Sequence, residues 1–383
     1  MTIPEALHLL EVGAHSHDSV TSRLAVLHAQ IRRLVPAVDR ISCALHEPED
    51  GLLKTFVHST TSAQPLQAYQ FRLADSASLS ALVRERGERV IDDMQTELHG
   101  HGHAHTEWLL AQGYRSSYTL PLFDHENLIG LLFFDALTPS AFQPLVCERL
   151  RPYASLIAML LSQELSTMRM LVGSIQIARE FANLRDIETG SHLSRMAAFA
   201  QLIALRLAHA RGYDDEFIEH VYLFAPLHDI GKIGVPDHIM LKPGALDADE
   251  WRQMTEHVDK GEQIVERLIE TFSLAHLAGV QVLRQIVAGH HERIDGSGYP
   301  RGLRGAELPD AARIITVADI YDALRSERPY KPAWRHDEVA AELRRMAAAG
   351  RLDAEMVEAL LAEPAALEAI RTRFHDADGV AAC

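Results

Sequence analysis

Leu223-Phe224-Ala225-Pro226-Leu227-His228-Asp229-Ile230-Gly231-Lys232-Ile233-Gly234-Val235-Pro236 is the stretch from which this chain is best read. A histidine beside an aspartate offers a metal ion one nitrogen and one hard oxygen, and Gly231 lets the backbone turn closely around the pair. A single His-Asp pair also arises by chance, so its meaning depends on its surroundings. On either side, residues 191–211, 215–227, 247–272, 276–290, 310–326, 336–348 and 353–361 read as helices, several opened by an Asp or Ser at a capping position. This half of the chain is expected to be an all-α bundle that carries its chemistry at helix ends.

Within that bundle, ligand-type residues recur. Glu188 and His192 stand four apart, as one helical face would present them; His228-Asp229, His257, the doublet His290-His291 and Asp319 follow. Five histidines and three carboxylates exceed the needs of one tetrahedral zinc. They suit two or three clustered divalent ions with mixed nitrogen and oxygen coordination, as iron or manganese prefers. Taken singly, each would fit a helix cap or a solvated side chain, and only the joint pattern points to metal. His209, His220, His276, His336 and His375 lack such companions and read as structural or surface residues.

The segment His290-His291-Glu292-Arg293-Ile294-Asp295-Gly296-Ser297-Gly298-Tyr299-Pro300 resembles the signature of the HD-GYP phosphodiesterases, a subgroup of the HD hydrolase superfamily, and the resemblance spans about residues 175–365. It implies a di- or trinuclear metal centre that hydrolyses cyclic di-GMP to linear pGpG and onward to GMP. The implied ligands are Glu188, His192, His228, Asp229, His257, His290, His291 and Asp319, with Glu188 the residue tied to a third metal. Asp229 is the expected bridge between ions. Lys232, a helical turn further on, is placed to hold a phosphate oxygen. By the same resemblance Arg328 and Lys331 hold the substrate's other phosphate; here Glu327 stands where the family has Asp, and the charge is kept. Gly296, Gly298 and Pro300 shape a tight loop in which Tyr299 offers a ring and a hydroxyl. The loop either simply turns the chain or, as the resemblance implies, also contacts diguanylate cyclase domains. Two alternatives stay open: hydrolysis of another cyclic dinucleotide such as cyclic GMP-AMP, and a non-catalytic module that binds the dinucleotide or a partner.

Upstream the pattern changes. A helix over 20–35 stops at Pro36; strand-like runs at 40–45 and 52–57 form a hairpin; a helix at 78–86 and an extended segment at 89–91 follow; a second hairpin, 116–123 with 127–136, turns at 124–126. With Ser117-Tyr118-Thr119-Leu120-Pro121-Leu122 and Leu128-Ile129-Gly130-Leu131-Leu132-Phe133-Phe134 as its strongest tokens, this order resembles a GAF sensory domain over residues 16–165, of unknown ligand. The alternating tract His99, His101, His103 and His105 either holds a transition metal or forms a solvated loop.

Joining the halves, residues 144–183 read as one helix with apolar residues at alternating steps of four and three: Leu150, Ala154, Ile157, Leu161, then Glu164 as the one defect, then Met168, Leu171, Ile175, Ala178 and Ala182. Such a seam favours a parallel homodimer that couples the two domains; its alternative is packing on the domain's own sheet. Residues 366–383 read as a tail. The architecture expected is therefore multi-domain: an α+β sensor, a long helical linker and an all-α HD-type bundle.

Composition bounds the rest. The chain's 383 residues, 47% of them hydrophobic, suffice for two or three cores. A net charge of −16 argues against DNA or an anionic membrane surface as partner, since both demand a cationic face. Cys43, Cys147 and Cys383 are far apart and form no pair, no basic leader opens the chain, and no apolar run reaches the about 18 residues that cross a bilayer. A cytoplasmic location is expected.

Overall fold

The computed structural model describes residues 19–48, 50–61, 66–98, 104–182, 190–326 and 333–375. It divides into two units, the first comprising residues 1–167 with 214–216 and 276–278, the second the remainder.

The first unit is built on a six-stranded sheet. Its strands β1 (Arg40–Glu47), β2 (Leu52–Thr60), β3 (Gln70–Arg72), β4 (Arg89–Ile91), β5 (Ser116–Asp124) and β6 (Asn127–Ala136) lie in the order β3-β2-β1-β6-β5-β4, every pair antiparallel. The side-chain period of two sends alternate residues to opposite faces. Ile41, Cys43, Leu45, Tyr118, Leu132 and Phe134 pack against α1 (Val20–Leu34) and the start of α5 (Pro144–Ala182); Ala44, Leu131 and Phe133 pack against α2 (Ala77–Glu85). Two covered faces explain why β6 reads as an unbroken apolar run. Helix α1 starts because the Ser19 side chain accepts the amide of Ser22, and it ends at Leu34, with Val35, held out of the helical region before Pro36, as its C-cap. Between α1 and α5 in chain order stand two short helices and a strand that sequence periodicity misses: α3 (Met94–Glu97), α4 (Ala104–Ala111) and β3, each too short to show a pattern.

On the α2 face the sheet bounds a cavity of about 540 Å³, lined by Tyr69, Phe71, Arg89, His105, Leu109 and Phe133 among others. His105 stacks on Tyr69 and Phe71, with ring centroids 6.0 and 6.5 Å away. The expectation of a solvated loop therefore does not hold for His105, because the cavity's aromatic wall takes up its ring. His99, His101 and His103 lie outside the described residues.

The long helix forms as expected, over 39 residues, but the early part of its seam has another use. Leu150, Ala154, Ile157 and Leu161 are buried in the same core as α1 and the sheet. Glu164, the defect in the apolar repeat, is a buried carboxylate paired with Arg23 of α1. Over this stretch the stripe packs on its own domain. The side chains of Ile175, Ala178 and Ala182 lie outside the described residues.

The second unit is helical: α6 (Gly190–Arg211), α7 (Asp215–Phe224), α8 (Asp237–Met240), α9 (Ala248–Thr255), α10 (His257–Thr271), α11 (Gly279–Gly289), α12 (Asp310–Arg325), α13 (His336–Ala348), α14 (Ala354–Leu361) and α15 (Pro364–Arg373). The single helix expected over 247–272 is two, interrupted at Glu256, and this break makes His257 the first residue of α10. The helix expected from 276 starts at 279, after a 3₁₀ turn at Leu274–His276. Part of the expected tail is α15, with Pro364 at its first position, where the missing N–H costs nothing. Among the described residues, no helix is long and apolar enough to cross a membrane.

Candidate metal centre

His228 and Asp229 sit between two 3₁₀ segments, Ala225–Leu227 and Ile230–Gly234, where the tight winding turns both side chains inward. Gly231 is needed here for space: an added Cβ would run into the carbonyl oxygen of His257, so its absence lets α10 lie against the turn. His192 comes from the first turn of α6, His257 from the start of α10, and His290-His291 from just beyond α11. Asp319 departs from the expectation that all ligands lie at helix ends. It projects from the interior of α12.

The ring nitrogens are oriented by their second partners. Nδ1 of His228 lies 2.9 Å from the Ala225 carbonyl oxygen, Nδ1 of His257 2.7 Å from that of Met254, and Nδ1 of His290 3.1 Å from that of Val287. A carbonyl oxygen only accepts, so each Nδ1 carries the proton and each Nε2 presents a lone pair. Those lone pairs converge on Asp229: Nε2 of His228 is 3.0 Å from Oδ2, and Nε2 of His257 and His290 are 3.1 and 3.4 Å from Oδ1. Nε2 of His257 and Nε2 of His290 face each other at 3.4 Å, acceptor against acceptor. Oδ1 of Asp229 is buried and has no hydrogen-bond partner. Buried acceptors aimed at one another are costly unless a cation lies between them, so this donor set fits divalent metal.

Ligand atoms fall into two groups, each within 4.8 Å: Asp229, His257, His290 and His291; and His192, His228 and Asp319. The bonded neighbours His228 and Asp229 join the groups. Glu188, Arg328 and Lys331 lie outside the described residues.

Charge follows the same design. Burial opposes ionisation of Asp229, but the Lys232 ammonium beside it holds its carboxyl well below the usual range. Nζ of Lys232 is 2.8 Å from Oδ2. Burial also lowers His290 and His291, which keeps them neutral and able to ligate, and it raises the Tyr299 hydroxyl.

Sequence reading missed three residues of this site. Asp322, fully buried, accepts from His192 Nδ1 at 2.6 Å and from Arg195 Nε and Nη2 at 2.8 and 3.0 Å. It orients His192 as the backbone carbonyls orient the rings of His228, His257 and His290; its signal was the carboxylate one helical turn after Asp319. Glu292, also fully buried, accepts the amides of Arg301, Gly302 and Leu303 at 2.7, 3.1 and 3.0 Å. This folds the loop back so that the Tyr299 ring stacks on His291 at 4.6 Å. Trp251 meets the outer edge of Tyr299, ring centroids 5.9 Å apart, and nothing in its surroundings in sequence marks it.

Two family models match the chain: the HD domain over residues 180–356 and the GAF domain over residues 22–161. A cyclic di-GMP phosphodiesterase of Vibrio cholerae is 37% identical over 237 residues, 58% of this chain and 47% of that protein. A 3'3'-cGAMP-specific phosphodiesterase 2 of the same organism is 40% identical over 193 residues, 50% of this chain and 34% of that protein. The chain thus spans less than half the length of these curated relatives. Among solved structures, the phycocyanobilin-bound GAF domain of a cyanobacterial phytochrome is 20% identical, with 43% of this chain and 96% of that one covered and a TM-score of 0.34. The chain therefore carries a GAF domain followed by a helical HD domain.

Proposed function

We propose that this chain is a metal-dependent phosphodiesterase that hydrolyses cyclic di-GMP to linear pGpG and onward to GMP, under the control of its GAF domain. The observation that carries the reading is the position of Asp229, whose two oxygens face different imidazoles and whose neighbour His228 belongs to the second ligand group. One carboxylate so placed can serve two ions. Divalent ions held there would supply Lewis acidity toward the phosphoryl oxygens and acidify a water. The chain's own part is to hold seven described ligands, His192, His228, Asp229, His257, His290, His291 and Asp319, with the tautomers of His192, His228, His257 and His290 fixed by their second partners, and to add Glu188 if a third ion binds. Lys232 holds a phosphate oxygen from beside Asp229 and offsets charge as the bond breaks. Arg328 and Lys331 engage the second phosphate, and Tyr299 walls the site. Mixed nitrogen and oxygen donors favour iron or manganese, two or three per chain. The GAF cavity is the place for the regulatory ligand.

The likeness to a 3'3'-cGAMP-specific relative supports a second reading, in which cyclic GMP-AMP is the preferred substrate. The remaining proposals are a cytoplasmic homodimer joined through residues 144–183 and a diguanylate cyclase partner at the Tyr299 loop. The deciding experiment loads the protein anaerobically with iron or manganese, counts metal per chain, and offers both dinucleotides in competition. Turnover at two or three metals per chain, abolished in Asp229→Ala, is expected. Full metal occupancy without turnover of either dinucleotide would favour a non-catalytic binding module.

A further inference from the structure

We infer that Trp251 is a base-stacking residue of this site, an inference that rests on the phosphodiesterase reading above. Helix α9 buries none of its residues, yet it is firmly built: the Asp247 side chain accepts the amide of Glu250 while Glu250 accepts that of Asp247, and Lys242 pairs with Glu250. A helix that contributes nothing to a core has no packing reason to carry a tryptophan. Trp251 is nevertheless there, with 51% of its surface exposed.

Its neighbours say what the exposed ring faces. Tyr299 lies edge-on to it at 5.9 Å and 77°, and the Tyr299 ring itself is stacked on the metal-ligand candidate His291 at 4.6 Å and 28°. The His257 ring is 6.4 Å from that of Tyr299. An aromatic path therefore runs from the ligand cluster outward in two ring-to-ring steps. Tyr299 is spent on His291, which leaves the indole as the ring with a free face. A cyclic dinucleotide with its phosphate at the cluster carries a flat base one sugar away. Every base has a π-face, and an exposed indole is a stacking surface that needs no hydrogen-bond code.

The test begins with wild-type turnover of cyclic di-GMP and cyclic GMP-AMP. If neither is hydrolysed by the metal-loaded enzyme, the phosphodiesterase reading fails and this inference goes with it. If either is, the variants judge Trp251 alone. Trp251→Ala is expected to raise KM about tenfold with kcat within about twofold, at the low end of what one base–aromatic contact contributes. Trp251→Phe should recover most of that loss and Trp251→Leu should not. On rapid mixing, substrate should quench tryptophan emission of the wild type within the first turnover and leave that of Trp251→Phe unquenched. Metal per chain, counted on each variant, checks that the centre is intact. A merely structural prop for Tyr299 would show instead as a fall in kcat, as rescue by Leu, or as emission indifferent to substrate, and any of these overturns the inference.

Discussion

At the scale of single residues, the site depends on which nitrogen of each ring holds the proton. Backbone carbonyls settle this for His228, His257 and His290, whereas His192 relies on Asp322. Asp322→Asn places an amide against Nδ1 that can donate to it and move the ring proton to Nε2. Metal affinity should fall about 10- to 100-fold, the usual cost of losing such a partner, as read by competition with a chelator. Lys232 makes the complementary prediction. Lys232→Met should lower kcat about 100-fold while metal per chain stays constant, because it removes a cation from the phosphate and no ligand from the metal. The legibility of the two differed. Lys232 could be read from its spacing to Asp229, while Asp322 looked like any helix carboxylate until its 130-residue separation from His192 was closed by packing.

Among elements, two of the expected caps were readable, because a side chain that satisfies an amide two or three residues on is a local event, whereas Ser191, Asp215 and Asp310 fall inside their helices. Asp247 and Asp353 open α9 and α14 in this way. The interruption at Glu256 was invisible, since residues 247–272 have helical composition throughout and the break only shows once His257 has a place to point. The seam of α5 gives the opposite lesson: its periodicity was correct and its partner was not legible. Ile157→Ala should destabilise the GAF core by about 3 kcal/mol through the cavity it leaves. That loss should be the same at low and high protein concentration in urea unfolding, whereas a seam between two chains would make it concentration-dependent. Glu292→Gln should loosen the Tyr299 loop, because a neutral amide replaces a carboxylate that serves three amides. Faster protease cleavage within residues 296–303 would report it.

For the molecule as a whole, acid should unfold the chain partly through histidines buried without charge. Burial lowers His58 in the GAF domain and His220 in the helical unit to about 4 each. Unfolded, both titrate near 6.5. Above that pH neither state binds the proton, and between about 6.5 and 4 only the unfolded chain does, so stability falls as pH falls through that window. Comparing His220→Gln with the wild type isolates one group: the variant should lose less stability than the wild type between those pH values.

By itself the sequence determined the ligand types, the caps of the helices at 248–255 and 354–361 and the two hairpins, because all of these are written in residues close together in the chain. Only the tertiary structure decided that seven of the ligands form two groups joined at His228-Asp229, that Asp319 reaches them from mid-helix, that Asp322 and Glu292 hold a ring and a loop in place, and that the early seam of α5 is spent inside its own domain. The physical reason is common to all four. Periodicity reports which face of an element is apolar, or which residue can ligate, but what that face or residue meets is set by packing between segments that lie far apart in the chain.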